Sequence, residues 1–148
     1  MIDESMQLHG AMTLIIHRAN GDTETIHKDN LIVNVGFDFI ADAIGKSASR
    51  PSVIGYIALG TGTTAATATQ SALVTEIDRN AATYAHTAGT KTFTFTADFL
   101  AGDATGAITE AGVFNAASDG IMFDRVVFPV VNKGADDSLT AVFTFTMS

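Results

Sequence analysis

Between residues 91 and 99 the chain alternates without interruption: Phe93, Phe95, Ala97 and Phe99 share one parity, while Thr92, Thr94, Thr96 and Asp98 share the other. A period of two belongs to a strand with one face in a core and one in water; a helix would scatter these phenylalanines around its circumference. The C-terminal residues repeat the pattern, with Leu139, Ala141, Phe143, Phe145 and Met147 on one side. Strands of this kind bury their apolar faces only against another layer, which points to packed antiparallel sheets.

Other segments fit the same plan. Residues 12–19 and 22–27 flank Asn20-Gly21, a pair suited to a two-residue type I′ turn. A hairpin closed there sets Ala19 opposite Asp22, His17 opposite Glu24 and Leu14 opposite His27. Strands are further expected at 53–60, 107–114 and 121–128, with turn residues at Ser118-Asp-Gly120 and at 133–137. Helical spacing occurs in residues 34–45, where Val35, Phe39, Ile40, Ala43 and Ile44 form an apolar stripe and Gly45 closes the segment. Residues 46–52 and 61–69 read as loops, and 71–77 as one or two helical turns. The expectation is a mainly β protein: an antiparallel β-sandwich with one short helix (about residues 35–45) and an N-terminal hairpin. Residues 1–10 are expected to be an extended arm and 11–148 a single domain.

Composition bounds the chemistry. A chain of 148 residues buries about 68–70% of its unfolded surface and supports a core without staples. It has no cysteine, which excludes disulfides, thiol catalysis and Cys-based zinc sites. Sixteen acidic and eight basic residues give a net charge of −8, and the basic residues form no run, which disfavours nucleic acid as a partner. No stretch approaches the ~18 apolar residues of a spanning helix. The acidic start is unlike a signal peptide, so synthesis and folding are expected in the cytoplasm.

Candidate site motifs are weak. Gly60-Thr-Gly62 lacks the Lys-Ser/Thr of a phosphate loop and reads as a turn. The hairpin register sets His17 and His27 at different levels and parities, and His9 and His86 lie far off in sequence, so surface histidines are expected rather than a metal site. Asp3-Glu4 and Asp136-Asp137 lie in tail and turn contexts where solvation accounts for them. No Gly-x-Ser-x-Gly elbow is present. Glu76 with Arg79, and Glu110 with Arg125, stand beside apolar strands where charge is scarce; each is either an ion pair at a sandwich rim or two separately solvated side chains. No catalytic, cofactor-binding or metal-binding residue is assigned, and no small-molecule substrate is expected.

Ile57-Ala-Leu-Gly-Thr-Gly-Thr-Thr64, Ser71-Ala-Leu-Val-Thr-Glu-Ile-Asp-Arg79, Ile108-Thr-Glu-Ala-Gly-Val-Phe-Asn115, Met122-Phe-Asp-Arg-Val-Val-Phe128 and the closing strand resemble small virion structural proteins of tailed bacteriophages. More distantly, they are similar to the N-terminal domain of phage tail-collar fibre proteins. The resemblance covers about two-thirds of the chain, from Tyr56 onward. It implies a non-enzymatic, oligomeric particle component with no cofactor. The chain stops after its last strand with no fibre shaft, which suits a capsid decoration, or cement, protein. Its expected partners are the major capsid protein and sister copies, as a homotrimer, with residues 1–10 and 46–52 as contacts. A tail or baseplate adaptor, or fibre attachment protein, is the alternative within the same particle. A carbohydrate-binding adhesion module is the alternative of another class, although the chain has no Trp and only Tyr56 and Tyr84 as tyrosines.

Overall fold

The expected sandwich forms. The computed structural model describes residues 5–148. Its elements run β1 (Leu8–His17), β2 (Thr23–Asp29), β3 (Leu31–Ile32), α1 (Asn34–Gly45), β4 (Tyr56–Gly60), β5 (Glu76–Ala81), β6 (Thr83–His86), β7 (Thr92–Phe99), β8 (Gly106–Phe114), β9 (Met122–Lys133) and β10 (Ser138–Met147). A first sheet has the order β2-β1-β10-β7-β6, and a second the order β3-β9-β8-β4-β5. All pairings are antiparallel.

The chain stitches the sheets together at both sides. At Asn30 it leaves edge strand β2 for edge strand β3, and the Asn30 N–H donates to Gly10 O at 3.0 Å. At Ala82 it passes from β5 to β6, and the Ala82 N–H donates to Gly55 O at 2.8 Å. Each turn point keeps its backbone group paired while the strand changes sheets.

Three expectations change in detail. Of the expected arm, residues 1–4 lie outside the described residues, whereas Leu8, His9 and Gly10 belong to β1 and face Met147, Thr146 and Phe145. The ladder runs one step further, because Gln7 and Ser148 exchange backbone hydrogen bonds of 2.8 and 2.9 Å. The hairpin register also shifts by one: His17 faces Thr23, Ile16 faces Glu24 and Thr13 faces His27. The loop has three residues instead of two, since the Gly21 N–H donates to Arg18 O and the Arg18 N–H to Asp22 O. Only Gly21, at φ 95°, takes the left-handed conformation, while Asn20 Oδ1 accepts from the Asp22 N–H at 2.9 Å. This is the type I turn followed by a left-handed glycine that closes three-residue hairpins. The shift sets Ile26 in place of His27 opposite buried Leu14, so that Ile26 packs against the core.

The third change concerns α1, which occupies the expected residues. Its contact with the sheet is greatest at Gly36, where a Cβ would run into Phe123 O. Phe39 packs edge-on against Phe123 at 6.1 Å. Ile44, in the last turn, is 81% exposed, so the stripe that meets the sheet ends before it.

The main core lies between the sheets. Met12, Leu14 and Ile16 from β1, Phe95, Ala97 and Phe99 from β7, and Leu139, Ala141, Phe143 and Phe145 from β10 meet Ile57, Leu59, Ile108, Val113, Phe123 and Val126. The alternation of β7 and β10 is thereby satisfied, residue for residue. Phe145 is the hub: its ring lies 5.3 Å from Phe93, 6.2 Å from Phe95 and 6.5 Å from Phe143 in its own sheet, and 5.2 Å from Phe123 across the interior. Replacing it with alanine removes four ring contacts and leaves a cavity with rigid walls. Phe145→Ala is expected to lose about 3–5 kcal/mol in equilibrium urea unfolding, with the slope against denaturant unchanged.

Candidate functional site

Charge is scarce among the strands, and one pair of buried opposite charges lies under a single loop. Residues 61–75 join β4 to β5 and lie against the outer side of the second sheet, over Glu110 of β8 and Arg125 of β9. Both side chains are fully buried, and Arg125 Nη2 lies 3.0 Å from Glu110 Oε1. The expected rim pair is therefore an interior one. An irregularity in the β8–β9 ladder between Ile108 and Glu110 breaks the strand's parity, so Ile108 joins the core while Glu110 meets the loop.

Glu110 organises the loop through its carboxylate. Oε2 accepts from the Gly62 N–H at 2.8 Å and the Thr75 N–H at 2.7 Å, and Oε1 accepts from the Val74 N–H at 2.9 Å and from Arg125 Nε at 3.0 Å. Arg125 Nη1 then reaches Thr64 O at 2.8 Å and Gln70 Oε1 at 3.1 Å. Thr109 adds a bond from Oγ1 to Gly62 O at 2.8 Å. Glycine is required at position 62, since a Cβ there would run into Glu110 Oε2. Gly60-Thr-Gly62 is thus the place where strand backbone closes on a buried carboxylate, not an isolated turn.

Residues 71–77 form no helical turn. The Val74 and Thr75 N–H groups that a helix would pair internally are taken by Glu110, and Glu76 already belongs to β5. Leu73 turns inward onto Val33, Ala58, Phe114 and Met122, a second apolar cluster beneath the loop.

The other paired charges also hold loops. Arg79 makes a two-point contact with Glu76, at 2.6 and 2.9 Å, and lies 3.8 Å above the Phe114 ring. Its Nη1 donates to Ala116 O and Asp119 O, at 2.9 and 2.8 Å, fixing the β8–β9 turn. Asp137, expected to be solvated, is buried: it accepts from the Ala19 and Gly134 N–H groups and from Arg18 Nη1, tying the N-terminal hairpin to the β9–β10 turn. Asp136 beside it is exposed, and Asp3 and Glu4 lie outside the described residues.

The histidines do not converge. His9, His17 and His27 share the outer face of the first sheet, so His17 and His27 have the same parity and not opposite ones, as the one-residue register shift requires. His27 Nδ1 lies 3.0 Å from Thr13 Oγ1, His9 3.3 Å from Asp29, and His86 bonds Thr92 O at 2.9 Å on another strand. Among the described residues no group of three or more His, Asp or Glu side chains is placed to hold a metal, and no helix is long and apolar enough to cross a membrane. Two open grooves border the 61–75 loop, one along Lys28, Leu31 and Thr63, the other along Ser71, Arg79 and Ser118.

The buried carboxyls titrate in opposite senses. Burial alone would raise Glu110, but the backbone donors of Thr75, Val74 and Gly62, with Arg125, outweigh it and hold the group below its ordinary 4.5. Asp137 is likewise lowered by the Ala19 and Gly134 N–H groups and by Arg18. Asp124 is fully buried, and burial pushes it well above 3.8, against the bonds from the Val113 N–H and Asn30 Nδ2. Groups lowered in the folded state contribute stability above their unfolded pKa and lose it as pH falls through the folded value. A raised carboxyl does the reverse: the fold loses stability as pH rises from the unfolded value to the folded one.

Two expectations follow. Glu110→Ala leaves Arg125 charged and buried and frees three backbone donors, for a loss of about 3–5 kcal/mol in chemical denaturation. Loop residues 61–75 should then gain amide hydrogen exchange ahead of the strands. Asp124→Asn keeps an acceptor for the Val113 N–H without the charge, so its Tm should gain on the parent's as pH is raised from 4 upward. A parallel pair of Tm profiles over that range would show that Asp124 is not the group responsible.

Comparison with protein-family models, with curated proteins and with solved structures finds no match to this chain.

Proposed function

We propose that the protein is a structural component of a tailed-phage virion, a capsid decoration protein that bridges neighbouring major capsid subunits and stabilises the shell. What supports the reading is where its family-like segments lie. Ile57-Ala-Leu-Gly-Thr-Gly-Thr-Thr64, Ser71-Ala-Leu-Val-Thr-Glu-Ile-Asp-Arg79, Ile108-Thr-Glu-Ala-Gly-Val-Phe-Asn115 and Met122-Phe-Asp-Arg-Val-Val-Phe128 run through β4, β5, β8 and β9, which are neighbours in the second sheet. They meet at the Glu110–Arg125 pair and the loop it holds. Four of the five segments are thus neighbours in one sheet, and the fifth, the closing strand β10, lies in the facing sheet. A rigid body with pinned loops suits a cement role, in which shell stability comes from modest buried area repeated at many sites.

The protein on this reading is made in the host cytoplasm and resides in the virion, its partners being the major capsid protein and sister copies. Densitometry of purified particles tests it. A decoration protein is expected at a copy number comparable to that of the major capsid protein, and its deletion should lower the temperature at which heads release DNA. A few copies per particle, with heads intact and adsorption lost on deletion, would instead identify a tail or baseplate adaptor.

A further inference from the structure

We infer that the outer face of the first sheet, β2-β1-β10-β7-β6, is a self-association surface that pairs with the same face of a second copy about a two-fold axis.

The two sheets are covered unequally. The second carries the 61–75 loop over its outer side, while α1 packs on β9 with Phe39 and Ile40 turned to the main core. Over the first, no helix or long loop is laid among the described residues, and its outward side chains stay partly exposed along the central strands. Thr13, Val142 and Thr96 form one such row across β1, β10 and β7, with Thr144 opposite Thr94 and Ile15 opposite Thr140 on either side of it. They are short and mostly β-branched, with few rotamers to lose on burial.

Charge selects the occupant. The chain carries −8 overall, so two copies repel wherever acidic side chains face each other. Among the described residues, the acidic side chains on this face are Asp29, on β2, and Asp98, on β7, on either side of the central β1–β10 pair. Its polar groups are also partly satisfied internally: Thr140 Oγ1 donates to Asp98 at 2.8 Å, and Thr13 Oγ1 bonds His27 at 3.0 Å. Burying them against an uncharged surface costs less than burying free hydroxyls. A partner with a strongly basic surface would find little negative charge to meet here, whereas an identical face meets its own chemistry.

The area is sufficient. Five strands about 4.8 Å apart, the central ones near 30 Å long, present roughly 700 Å² per copy, or about 1,400 Å² in a pair, within the range of specific interfaces. Two twisted sheets stack face to face at about −30°. Such a contact is isologous and closes at two copies, unlike a three-fold ring, which needs two different patches in contact. Val142, on the central strand, lies near the axis and meets its own counterpart.

The test uses purified full-length protein and does not depend on any particle, so the pair and the virion reading stand or fall separately. Sedimentation should give twice the 15.4 kDa chain mass at micromolar concentration. Val142→Glu sets like charges against each other and should weaken the pair at least tenfold, while Ala41→Glu on exposed α1 should not. Because the chain lacks cysteine, Val142→Cys supplies a second readout if the glutamate variant fails to fold. Mild oxidation should link it into a covalent dimer, and Ala41→Cys should stay single. A monomeric parent, a three-fold mass, or a dimer indifferent to Val142→Glu would overturn the inference.

Discussion

A carboxylate with no access to water must find donors, and Glu110 finds all of its donors in one loop and one arginine. The outer layer of the second sheet depends on that requirement. Residues 61–75 are rich in Thr and Ala, with little apolar surface to hold them down. They are ordered because Gly62, Val74 and Thr75 supply N–H groups at one end of the ion pair while Thr64 and Gln70 supply acceptors at the other. The pair need not exceed an apolar substitute in net stability to have this effect, since a buried ion pair mainly penalises arrangements that leave it unsatisfied. Loop conformation is thereby specified by polar chemistry above a core specified by shape.

The same device recurs on a smaller scale. Arg79 fixes the β8–β9 turn through two carbonyls while Glu76 and the Phe114 ring hold the guanidinium in place. Asp137 joins two turns that are more than a hundred residues apart in sequence. Each anchor sits where a strand ends and backbone groups lose their ladder partners. A sandwich built this way holds its loops without disulfides or a large share of charged residues.

Where local pattern and tertiary demand agreed, the residues were legible. Phe93, Phe95, Ala97 and Phe99 read as a core face and are one, and residues 34–45 read as a helix and form it. The hairpin failed by a single residue because Asn20-Gly21 suits two loop geometries, and the three-residue one places Ile26, not His27, on the core face beside Leu14. Residues 71–77 failed because helical spacing says nothing about a carboxylate arriving from β8. A signal for the anchor was present, an isolated Glu in the apolar run from Ile108 to Phe114, but the run is as compatible with a solvated edge as with a covered sheet.

By itself the sequence determined the layer type, the faces of the long strands, the helix and the absence of any thiol chemistry, because each follows from periodicity or composition within a short window. Only the tertiary structure decided that Glu110 and Arg125 are interior, that Asp124 is buried on the Val113 N–H and Asn30 while Asp137 ties turns together, and that, among the described residues, a loop covers the outer face of one sheet and not the other. Those outcomes depend on which strands become neighbours. A pattern of period two specifies which way a side chain points, and leaves unspecified what it will meet there.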